Sequence, residues 1–184
     1  MKYNLHMMCG VPGAGKSTFC GKIKPYFPEL VHINPDVIRK EVTGNESDMS
    51  EDNKVWNICK KRAATNLLKG RPILVDACFY KVSGRREFVR DVSDYILQYI
   101  EQAKDNTYIS KFDGINMALF VKRDKTAVEC MDRNLQRTRV VPYEVIERMD
   151  NAFVMPTLEE SPVYREIFNV TDNTDIEALV ERLK

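Results

Sequence analysis

Residues Gly10 to Thr18, GVPGAGKST, restrict this chain more than any other stretch of its 184 residues. They satisfy G-x-x-x-x-G-K-[S/T], with Gly10, Gly15, Lys16 and Ser17 at the four fixed places. An apolar run (Leu5, Met7, Met8, Cys9) precedes the loop, and a helix-compatible stretch starts near Lys16. Strand, glycine-rich loop and helix in that order wrap main-chain N–H groups around an anion, and side chains would block the approach. The helix then points its positive end at the same anion. The spacing predicts that Gly10, Gly13, Ala14, Gly15 and Thr18 cradle nucleotide phosphates, that Lys16 reaches the terminal ones, and that the Ser17 hydroxyl holds Mg²⁺.

The rest of the sequence fits a sheet built around that loop. Short apolar runs alternate with amphipathic stretches, the pattern of a mostly parallel α/β sheet with helices on both faces. Strands are expected at about Asn4–Cys9, Leu30–Ile33, Pro72–Asp76, Ile115–Val121 and Ile167–Val170. Helices are expected at about Lys16–Lys24, Val37–Val42, Asn53–Lys69, Gly84–Ala103, Lys125–Gln136, Pro142–Phe153 and Asp175–Leu183. The polar stretch Thr43–Asp52 reads as an exposed loop. With no linker, repeat or low-complexity tract, residues 1–184 read as a single domain.

Composition excludes several classes. No apolar run approaches the ~20 residues of a membrane helix. The N-terminus runs straight into a strand, without the layout of a secretory signal, so a cytoplasmic location is expected. Net charge is +1, so no global field advertises nucleic acid, although one or two phosphates need only a local basic cluster. The five cysteines (Cys9, Cys20, Cys59, Cys78, Cys130) are scattered without a C-x-x-C pair, which predicts buried thiols rather than disulfides or zinc. His6 and His32, in strand-like runs, are expected to be packed.

Further chemistry-bearing residues lie where strands end. In a doubly wound sheet ligands sit beyond the carboxyl edge, and Asn34-Pro35-Asp36-Val37-Ile38-Arg39 leaves strand 2 there. One helical turn would put Asp36 and Arg39 on the same side. A carboxylate so placed can take the proton of an attacking hydroxyl, and the arginine can fork onto an anionic group of the acceptor. Equally, the acid could be a helix cap and Arg39 a surface residue. Asp76 closes the run PILVD, where a carboxylate can hold Mg²⁺ or one of its waters, or cap the next segment. Between about 124 and 153, two helices flank the break TRVV. Arg133 and Arg137, four apart, are expected on one helix face, with Arg139 in the break. This is the outline of a lid that closes over donor phosphates. Val121-Lys122-Arg123-Asp124 and Asp76-Ala77-Cys78-Phe79 lack the guanine-reading and switch motifs of GTPases, so ATP is the expected nucleotide.

From GVPGAGKST through the acceptor motif to RNLQR and VVPYEVIERM, the chain resembles the polynucleotide 5′-kinase family of P-loop phosphotransferases, phage enzymes among them. The resemblance implies a three-layer P-loop kinase fold with a helical lid, and ATP and Mg²⁺ as cofactors. It makes Asp36 the base on a 5′-hydroxyl, Arg39 the contact to the acceptor phosphate and Asp76 the acid at the third strand. Arg133 and Arg137 then match the lid arginines, Arg137 being the better candidate for the donor phosphates, and Lys16 and Arg137 are the catalytic cations. Pro35 and the pair Ala77-Cys78 depart from the family pattern, and Asn-Pro-Asp also resembles zeta-toxin-type small-molecule kinases. The expected partner is therefore a nucleic acid 5′ end or a small-molecule alcohol, with an ATP-binding switch as the non-enzymatic alternative.

Overall fold

The computed structural model describes residues 1–2, 4–102, 112, 114–160 and 164–184. Five strands form one all-parallel sheet in the order β2-β3-β1-β4-β5: β1 (Leu5–Cys9), β2 (Val31–Ile33), β3 (Ile73–Val75), β4 (Met117–Lys122) and β5 (Tyr164–Val170). The chain steps from β1 outward to β2, returns through β3, then crosses β1 to reach β4. The carboxyl end of β1 therefore opens at the reversal point where such sheets bind ligands.

Alternation along β1 divides the core. Leu5, Met7 and Cys9 point to the face covered by α2 (Pro35–Thr43), α3 (Asp52–Leu68) and α4 (Val82–Gln102). Met8 points to the opposite face, under α1 (Lys16–Ile23) and α7 (Ile176–Leu183). A third, smaller cluster joins Val11 and Ala14 of the glycine-rich loop to Cys130 and Met131 of α5 (Ala127–Leu135) and Ile146 of α6 (Tyr143–Asn151). The two-helix segment thus rests on the loop through apolar side chains.

The expected α/β fold is the one observed, with differences at element ends. Pro25 does not stop the chain's helical turn at once, because α1 passes into a short 3₁₀ turn at Lys24–Tyr26. The helix after β2 begins at Pro35 rather than Val37, since proline is preorganised for the first helical position. The expected end of the long helix, Ala103, lies outside the described residues. The five cysteines are free, four of them buried. His6 is packed as expected, stacked on Phe120 at 5.6 Å, whereas His32 is half-buried and faces Asp76.

Candidate active site

The loop from Gly10 to Gly15 folds as a compact turn, and its glycines have a second reason beyond ligand access. At Gly13 φ is +82°, and a Cβ would stand 2.0 Å from the Cys130 carbonyl oxygen on α5. A Cβ on Gly10 would lie 2.6 Å from the Lys122 carbonyl oxygen. The backbone approach that glycine allows is used here to seat the loop on β4 and α5. Lys16 is buried, its Nζ donating to the Val11 carbonyl at 2.8 Å, so its charge stays folded over the loop.

Asp76 follows β3 directly, and its backbone N–H still pairs with Ile33 at 2.8 Å. Burial pushes its carboxyl upward, but the facing His32 and Ser17 side chains and the Lys16 ammonium outweigh this and hold it below the usual carboxylate range. Asn34 Nδ2 donates to Asp76 Oδ2 at 3.1 Å. Asn34 Oδ1 meanwhile accepts from the Asp36 and Val37 N–H groups at 2.8 and 3.4 Å, so Asn34, not Asp36, caps α2. One amide side chain therefore ties the acid beside the phosphate loop to the first turn of α2.

On that turn Asp36 is half-buried. Arg39 is almost wholly buried and spans two acids, Nη1 to Asp36 Oδ1 and Nη2 to Asp52 Oδ1, each at 2.6 Å. Arg139 Nη1 donates to the same Asp36 oxygen. A cation from the two-helix segment and one from α2 thus converge on a single carboxylate oxygen. Burial works against the Arg39 charge, yet the bonds to Asp52 and Asp36 prevail and favour it.

The expectation of Arg133 and Arg137 on one helix face is not met. The helix α5 ends at Leu135, because Asn134 turns its side chain to Val141, donating at 2.8 Å and accepting from its N–H at 3.1 Å. Arg137 falls in the turn beyond and is exposed. Arg133 instead reaches the phosphate loop: its Nη2 lies 3.5 Å from where a Gly15 Cβ would stand, and its Nη1 is 3.2 Å from Asp172. Buried Lys122 pairs with Asp124 and, at 2.9 Å, with Asp172; the Lys122 bond chiefly pulls the Asp172 carboxyl down to about 2. Thr18 is exposed, as Ser17 is, at the start of α1.

Three residues named in the sequence have partners that sequence reasoning did not find. The Asn-Pro pair is a legible cap signal for Asn34, but its bond to Asp76 spans 42 positions. Arg139 meets Asp36 across 103 positions, with no local signal. Lys122 lies just past the expected strand Ile115–Val121 although it closes β4, and only the β5–α7 turn brings Asp172 to it.

A family model described as an AAA domain matches residues 5–156. No curated protein matches the sequence. Among solved structures, a candidate kinase from Chloroflexus aurantiacus superposes with a TM-score of 0.68 at 16% identity, covering 100% of this chain and 97% of that one. A gluconokinase from Sinorhizobium meliloti gives 0.56 at 16% identity, covering 98% and 89%. A fungal RNA kinase gives 0.59 at 15% identity, covering 97% of this chain and 42% of that one. At such identities the likeness speaks for the fold. Among the described residues no helix is long and apolar enough to cross a membrane.

Proposed function

The chain belongs to the AAA-domain family, and from that premise we propose that it is a kinase moving the γ-phosphate of ATP to an alcohol, foremost the 5′-hydroxyl of a DNA or RNA end. One observation carries the reading: Asp76 faces Ser17 and feels the Lys16 charge, and Asn34 joins it to the Asp36 backbone, whose carboxylate receives Arg39 and Arg139. A phosphate seat and a carboxylate able to take a hydroxyl proton are thereby held in one polar network.

In this reading the loop amides and Lys16 grip the donor phosphates, and Arg133 adds charge from beside Gly15. Arg137, exposed in this conformation, must swing inward as the lid closes. Asp36 accepts the proton of the attacking hydroxyl, while both arginine bonds fall on Oδ1 and leave Oδ2 to do so. Arg139 then turns its fork onto an anionic group of the acceptor, while Arg39, bonded to Asp36 and Asp52, positions the base instead of meeting the acceptor as expected from sequence. Ser17 and Asp76 suit Mg²⁺, a hard ion that prefers oxygen, since Asp76 is held ionised beside the loop. The ion would neutralise phosphate charge.

A small-molecule alcohol is the second reading, favoured by the near full-length likeness to the gluconokinase and by Pro35 in the acceptor motif. Labelled ATP offered in parallel to 5′-hydroxyl oligonucleotides, nucleosides and sugars separates the two. Labelling of oligonucleotides alone supports the first reading, and labelling of a sugar or nucleoside alone replaces it with the second. With the labelled acceptor in hand, Asp36→Asn is expected to keep ATP affinity and to lose ~10²-fold or more in turnover. Unchanged turnover removes Asp36 as the base.

A further inference from the structure

A second set of donors gathers on the flank of the phosphate loop. Cys20 on α1, His32 on β2 and Asp76 after β3 bring a thiol, an imidazole nitrogen and a carboxylate oxygen within 4.8 Å of one another. These residues lie on three elements, so sequence spacing could not announce them. Cys20 and Asp76 are buried, whereas His32 is half-buried and marks the side open to solvent. Its Nε2 is shut off from water and lies 3.3 Å from Asp76 Oδ2. A ring nitrogen closed off from water is thus aimed into the cluster, against the Asp76 carboxylate.

We propose that Cys20, His32 and Asp76 form a site for a borderline-soft divalent metal, zinc foremost, with a fourth position left to water. The donor set decides the class. Sulfur and imidazole nitrogen favour Zn²⁺ and its neighbours, while Mg²⁺ demands six hard ligands and does not take a thiol. A tetrahedral ion bonded at ~2.0–2.3 Å holds its donors roughly 3.5 Å apart. The observed convergence therefore needs only a small inward shift of side chains. On binding, the Cys20 S–H bond breaks, its proton passes to solvent and the sulfur binds as thiolate.

Occupancy also withdraws Asp76 from the phosphate loop and from Asn34, so the acid no longer joins the loop to the first turn of α2. Zinc therefore inhibits transfer instead of supporting it. That consequence rests on the kinase reading above, whereas metal binding does not.

The test uses the full chain, stripped with chelator and titrated with Co²⁺ as a spectroscopic stand-in for zinc. One equivalent is expected to give the intense visible bands of a four-coordinate ion and a thiolate-to-cobalt charge-transfer band, both erased by added Zn²⁺. Cys20→Ala removes the charge-transfer band and weakens binding by at least ~10-fold, and His32→Gln weakens it similarly. Cys78→Ala, at the half-exposed thiol, changes neither. Circular dichroism checks that each variant folds, and His32→Gln carries the test if Cys20→Ala does not. No charge-transfer band, or one that survives in the folded variant, overturns the site whatever the chain's activity. Zinc that binds as described without slowing transfer overturns the inhibitory consequence alone.

Discussion

Asp36 takes two guanidinium groups on a single oxygen, and that crowding fixes how each arginine can matter. Arg39 is shared with Asp52 and locked in place, so removing it disturbs α2 and α3 together. Arg139 has its only described charged partner in Asp36, which makes it the cleaner probe of the acceptor side. Arg139→Ala is expected to lower kcat/KM for the acceptor roughly 10-fold or more, in line with a charged hydrogen bond worth ~1.5–3 kcal/mol. ATP affinity should not move. Arg139→Lys keeps the charge but not the fork, and should fall in between. Steady-state kinetics with ATP and acceptor varied separately read this out, and an effect on ATP alone would assign Arg139 to the donor side. Asp36 and Arg39 are visible in sequence as an acid and a base one turn apart. Arg139 is not, because its partner lies 103 positions away and only folding brings the two-helix segment over α2.

Among elements, the helices and strands were legible wherever periodicity was strong and blurred where a side chain intervened. The run Leu5, Met7, Met8, Cys9 reads as a buried strand because both of its faces are covered. The end of α5 does not read from sequence, since helix propensity continues through Gln136 while Asn134 binds Val141 and turns the chain. Glycine is likewise ambiguous in sequence and unambiguous in place. Gly13→Ala meets backbone at 2.0 Å and a left-handed φ, so the loop and α5 must part. A loss of ~2 kcal/mol or more in unfolding free energy, together with loss of ATP binding, is expected. By contrast, Gly21 lies within α1 with nothing near its would-be Cβ. Gly21→Ala should stabilise the chain by ~0.5–1 kcal/mol. Urea titrations of the two variants side by side measure both signs. Equal effects would mean that the loop does not rest on α5.

The whole molecule is built outward from β1, and one residue in that central strand gives the fold a pH limit. His6 is wholly buried, stacked on Phe120 with Nδ1 3.1 Å from the Ile73 carbonyl. Burial foremost lowers its pKa from 6.5 to about 4, only partly opposed by the Ile73 contact. In the unfolded chain the ring titrates near its ordinary value and takes up a proton that the folded form refuses. The contribution to stability is therefore complete above pH 6.5 and is lost as pH falls toward 4. It amounts to about 3 kcal/mol, most of it gone by roughly pH 4.5. The depressed carboxylates act in the same direction but lower down: Asp172, held at about 2, loses its share only below 3.8. The interval between pH 6.5 and 4.5 thus belongs to His6. His6→Phe keeps a ring on Phe120 and removes the titration. Denaturant unfolding of that variant should give the same free energy at pH 7 and pH 4.5, while the parent chain drops by about 2–3 kcal/mol. A parent chain as flat as the variant would mean that the ring protonates without leaving the core, and that the centre of the sheet tolerates a charge.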